Sequence, residues 1–163
     1  MRIAVVALIG ALATPVSAQQ MLPFAPRGTD YVETICSGGF DGRLEQVRVL
    51  ATGRVSKATR RVPEVRYAWA RRDEMNKIWR ELDVARFEQR LVPPEKPYVM
   101  DGIDCTLTRR SSGRVHSVTL MQQMRDKPKY RDLVAVLDDI NALGSRATGP
   151  RLRPAGTVAS PQR

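Results

Sequence analysis

The chain has 163 residues, 42% of them hydrophobic, with 27 lysine and arginine side chains against 17 carboxylates and a formal net charge of +10. That length suits one domain with a real core and excludes two. A single histidine, His116, and two cysteines, Cys36 and Cys105, exclude a multi-histidine metal centre and a C-x-x-C redox motif.

Residues 1–18, MRIAVVALIGALATPVSA, place Arg2 before an apolar run and small residues before Gln19. This is the pattern of a secretory signal peptide, so export to a periplasmic or extracellular compartment is expected. Cleavage after Ala18 leaves 145 residues at +9. No later apolar stretch approaches the ~20 residues of a membrane-spanning helix, so no membrane insertion is expected. In an oxidising compartment Cys36 and Cys105 are expected to form a disulfide. It closes a loop of about 70 residues, worth roughly 4 kcal/mol by the chain-entropy argument.

Residues 19–30, with two prolines and no periodicity, read as a flexible lead-in. A first strand from Tyr31 to Ser37 ends at Gly38-Gly39. A second follows through Leu44, Val47 and Val49, where the alternation slips by one and suggests a bulge. Thr52-Gly53 turns the chain into a short third strand, Arg54 to Thr59. The next segment, Val62 to Ala70, is interrupted by Pro63 and reads as an extended edge.

Asp73 is a fair N-cap for a helix whose Met75, Ile78, Trp79 and Leu82 share one face. Prolines 93, 94 and 97 then enforce a loop. Ile103, Cys105 and Leu107 alternate with polar residues, and Ser111-Ser112-Gly113 reverses the chain into Arg114 to Met121, with Val118, Leu120 and His116 in phase. Tyr130, Leu133, Val134, Leu137, Ile140 and Leu143 mark a second amphipathic helix, with Gly144 as its glycine cap. Residues 145–163 hold four arginines, no acid and three prolines, and read as a disordered basic tail. The expected fold over residues 31–144 is a single α+β domain. It has one antiparallel sheet of four to five strands covered on one face by two helices, in the order hairpin, helix, hairpin, helix.

No catalytic constellation, cofactor site or metal site is expected. A triad would have to use His116, whose bland reading is a strand side chain near the sheet edge, and no nucleophile occupies a G-x-S-x-G turn. The carboxylate pairs Asp138/Asp139 and Asp101/Asp104 do not predict two acids facing across a cleft. Two binding segments remain. Arg66, Tyr67, Trp69, Arg71 and Arg72 offer cations interleaved with stacking faces, fit for an anionic ligand such as a polysaccharide, lipid head group or acidic protein. Electrostatic association with anionic envelope surfaces follows from the charge, whereas export argues against nucleic acid. The second segment is Ser37, Gly38, Gly39, Phe40, Asp41 and Gly42. The glycine pair suffices for a hairpin turn, leaving Phe40 as either a core plug or an exposed anchor.

The turn S-G-G-F-x-G at Ser37, Gly38, Gly39, Phe40 and Gly42 carries a resemblance. With it go the following strand, a helix ending in the pair Leu82 and Phe87, the hairpin around Asp104 to Val118 and the last helix. Together they resemble emfourin and its relatives, small protein inhibitors of thermolysin-type metalloproteases, over most of residues 33–143. The resemblance implies a non-enzymatic, partner-binding module that docks on a protein, such as a secreted metalloprotease, through residues 37–42. The signal peptide, the cysteine pair and a longer segment over residues 60–72 depart from the family pattern.

Overall fold

In the computed structural model, described over residues 21–92 and 102–149, six strands form one antiparallel sheet. The strands are β1 (Tyr31–Gly38), β2 (Arg43–Leu50), β3 (Arg54–Thr59), β4 (Val62–Trp69), β5 (Ile103–Ser111) and β6 (Arg114–Leu120). They lie in the order β4-β3-β2-β1-β5-β6. Two helices, α1 (Arg72–Val84) and α2 (Arg131–Ser145), complete an α+β domain. The strand count is thus six, and the first hairpin is a four-stranded meander. The ambiguous segment around Pro63 is the full edge strand β4, a position where a missing backbone donor costs no ladder bond.

The core lies between one sheet face and the helices. Val32, Val47, Val49, Val55, Ala68, Leu107, Val118 and Leu120 meet Met75, Ile78, Leu82, Phe87, Leu133 and Ile140. Gly144 is not a cap. It is a buried residue of α2, which runs on to Ser145, and a Cβ there would lie 2.5 Å from Val47 Cγ2. Its absent side chain lets the helix approach the sheet. The helix α1 begins two residues earlier than Asp73 suggests, with Arg71 at the N-cap. The Arg71 amide donates to the Glu74 carboxylate at 2.7 Å. Cys36 and Cys105 face each other across β1 and β5, are disulfide-bonded with Cα atoms 4.1 Å apart, and pack against Leu137 of α2.

No bulge interrupts β1 and β2, whose register runs unbroken from Tyr31 opposite Leu50 to Gly38 opposite Arg43. The apparent slip arises because both faces of β2 are covered. Val47 and Val49 face the helices, whereas Leu44, Gln46 and Arg48 face the other side. The irregularity of the sheet lies instead between Lys57 and Thr59 on β3.

What covers that second face is the segment expected to be a flexible lead-in. Leu22 is 3% exposed, and the amides of Met21 and Leu22 both donate to Gln46 Oε1 at 2.8 Å. Beneath it Arg48 binds Glu33 at 2.6 Å, Gln46 Nε2 donates to the same carboxylate at 2.9 Å, and Arg48 also donates to the carbonyl of Pro23. Residues 19 and 20 and the expected signal peptide lie outside the described residues. So does the expected basic tail beyond residue 149.

The two helices are latched to each other by ion pairs. Lys77 meets Asp139 at 2.7 Å, and Arg146 grips Glu74 through two hydrogen bonds of 3.0 and 2.9 Å. The hydrogen bond from Arg146 holds the Glu74 carboxyl at a pKa of about 2, well below its ordinary 4.5. A depressed pKa contributes stability that is complete above the unfolded value and is lost as pH falls from 4.5 toward 2. Thermal melts at stepped pH should therefore show a steeper loss over that window in the natural protein than in Glu74→Gln. Equal slopes would mean that solvent screens the latch.

Candidate partner-binding loop

The strand β1 carries Ser37 and Gly38 to the end of the sheet, and the chain then reverses through Gly39, Phe40, Asp41 and Gly42 into β2. The reversal is not made by Gly38-Gly39 alone. Gly42 N–H donates to Gly39 C=O at 3.0 Å, which places Phe40 and Asp41 at the tip. Gly39 and Gly42 both have positive φ, 75° and 58°. Gly38, at φ 119°, ends β1 so close to its neighbour that a Cβ would lie 2.2 Å from the carbonyl oxygen of Gly102. These glycines are a steric requirement of the turn.

Phe40 is 93% exposed, so its ring stands in solvent and is not a core plug. The turn beneath it is tied down on several sides. Gly39 N–H donates to Gly102 C=O at 3.3 Å, and Asp41 pairs with Arg61 of the neighbouring β3–β4 turn at 2.8 Å. The disulfide at Cys36 joins the same strand to β5 two residues before Gly38. Between the two turns lies an open groove of about 380 Å³, lined among others by Asp41, Arg43, Leu44, Arg60 and Arg61. Glu45 pairs with both Arg43 and Lys57, at 3.1 and 3.0 Å, whereas Arg60 has no ion pair among the described residues. Arg60 and Arg61 join the site through the strand order, which no local sequence pattern discloses; only their adjacency as a basic pair was visible.

Neither a protein-family model nor a curated protein matches the chain.

The five residues of the anionic-ligand segment do not share a face. On β4 Arg66 lies on the helix side with Ala68, while Tyr67 and Trp69 lie on the opposite side. Arg54 stands 5.8 Å over the Tyr67 ring. Arg71 sits at the start of α1, within 3.5 Å of Asp73 and 3.4 Å of Glu74, and exposed Arg72 begins that helix. His116 is a strand residue of the edge strand β6. Its Nε2 is 3.0 Å from the carbonyl of Arg90, and its ring stands edge-on to Phe87 at 5.1 Å. Of the acids, Asp138 pairs with Arg125 at 2.8 Å and Asp139 with Lys77, while Asp101 lies outside the described residues.

Local sequence does not single out a buried cation on β5. Arg109 is buried on the helix side of β5, where it reaches Asp83 at 2.6 Å and Glu88 at 3.0 Å and lies 4.8 Å over the Trp79 ring. The only signal was its in-phase position after Cys105 and Leu107.

Proposed function

We propose that this chain is an exported, non-enzymatic protein-binding module of emfourin-like type, which docks through residues 37–42 on a secreted thermolysin-type metalloprotease. The observation that supports this reading is Phe40. A large aromatic ring left almost fully in water at a turn tip gains most from entering a partner's pocket, and the tip's anchors reduce the ordering entropy that docking would cost. The groove with Arg60 beside it adds positive charge that steers an acidic surface toward the ring.

The test is a titration of a thermolysin-type protease with the purified protein, following peptide hydrolysis while checking that the added protein stays uncut. Stoichiometric inhibition is expected. Phe40→Ala should weaken it by about 2 kcal/mol, roughly 30-fold, as for an anchor residue. Its melting temperature should stay unchanged, because the ring contributes no burial to the fold. Full protease activity with the inhibitor intact, or equal inhibition by the alanine variant, would sink the proposal.

A further inference from the structure

We propose that the free edge of β6 is a self-association seam on which a second copy of this chain lays its own β6 antiparallel, joining two six-stranded sheets into one. The inference does not depend on the loop that carries Phe40, which projects from the sheet beyond β1.

The hydrogen-bond phase of β6 follows from its hairpin. Ser111 and Arg114 flank a two-residue turn in which Ser112 and Gly113 both have positive φ, so they form a hydrogen-bonded pair. Alternation along the strand then directs the N–H and C=O of Arg114, His116, Val118 and Leu120 toward β5. It turns those of Val115, Ser117 and Thr119 outward. Those outward groups have no backbone partner among the described residues. The opposite edge of the sheet differs. On β4 the Tyr67 amide is taken by Gly149 C=O at 2.9 Å, and the strand carries Pro63, Glu64 and Arg66, residues that discourage strand addition.

Charge selects the second copy as occupant. A chain of net charge +10 resists self-contact almost everywhere, yet β6 holds one formal charge, Arg114, at its end. A two-fold axis through Ser117 sets Ser117 against itself, Val115 against Thr119, and Arg114 against Leu120. The two arginines then stand roughly 20 Å apart at ~3.4 Å per residue, beyond the ~8–10 Å over which salt leaves charges interacting. The side chains of Val115, Ser117 and Thr119 are uncharged, and the hydroxyls of Thr119 and Ser117 are held against β5 by Thr106–Thr119 at 3.0 Å and Thr108–Ser117 at 2.8 Å. Val115, 59% exposed, supplies apolar area at each end of the seam.

Sedimentation equilibrium of the purified protein over a wide concentration range tests this. A reversible doubling of mass is expected. Ser117→Pro deletes an outward N–H that the β5–β6 ladder does not use, and Ser117→Lys sets two cations against each other on the axis. Each should raise the dimer dissociation constant at least about tenfold. Circular dichroism should show the same fold in the lysine variant, which stays interpretable even where the proline variant misfolds. A natural protein that is monomeric throughout, or a dimer that survives Ser117→Lys in the folded state, would overturn the seam.

Discussion

Glu33→Ala is expected to cost about 3–5 kcal/mol of folding stability, because it leaves the buried Arg48 guanidinium without its counter-charge. Glu33 and Arg48 are 7% and 5% exposed, and Glu33 also holds Gln46, on which the amides of Met21 and Leu22 depend. One deletion therefore strands a cation, frees an amide side chain and loosens the strap over the outer face. In urea the midpoint should fall with little change in slope, since the surface exposed on unfolding is nearly the same. The double variant Glu33→Leu with Arg48→Met should recover much of the loss, because an apolar pair removes both charges and their desolvation. Recovery should stop short of complete, since Arg48 also binds the carbonyl of Pro23. A loss below about 1 kcal/mol for Glu33→Ala would mean that water reaches the pair and that the strap does not seal it.

Gly38→Ala is the second large effect, expected at about 3 kcal/mol with a fall in melting temperature on the order of 10 °C. A side chain at φ 119° is strained by itself, and the added Cβ would meet the Gly102 carbonyl at 2.2 Å. The obstacle is backbone, so it cannot rotate away as a side-chain tip would. Relief requires the start of β5 or the turn to move, and either shift re-aims Phe40. The proposed inhibition should therefore weaken together with stability, in contrast to Phe40→Ala, which separates them. A Gly38→Ala protein that melts like the natural one would show that the two segments part at no cost, and the turn would then lack the rigidity that docking uses.

Much of this architecture was legible in the residues. The alternation of Ile103, Cys105 and Leu107, the helical spacing of Met75, Ile78 and Leu82, and that of Leu133, Leu137, Ile140 and Leu143 each define a core face that the sheet and helices bury. The cysteine pair is readable as a bond from two cysteines in a chain expected to be exported to an oxidising compartment, although its place directly across β1 and β5 is a matter of register. Where a face is buried on one side only, periodicity reports it directly.

The strand β2 shows where that logic stops. Leu44, Gln46, Val47, Arg48 and Val49 look like a slipped strand because the rule assumes one wet face, and here the strap covers the other. Residues 21–30 read as a lead-in for the same reason. A segment without periodicity can still bury one leucine and satisfy its amides on a distant glutamine.

For the candidate site, the residues alone specify a glycine-rich turn that holds one aromatic side chain. Whether Phe40 turned inward or outward was decided by tertiary structure alone, since the turn geometry follows from the approach of Gly38 to Gly102, more than 60 residues away. The same holds for Arg60 and Arg61 beside it and for the splitting of Arg66 from Tyr67 and Trp69. Local spacing fixes which residues can share a face of one element. Which elements then stand side by side depends on strand order and loop closure, and those are set by the burial of the whole chain.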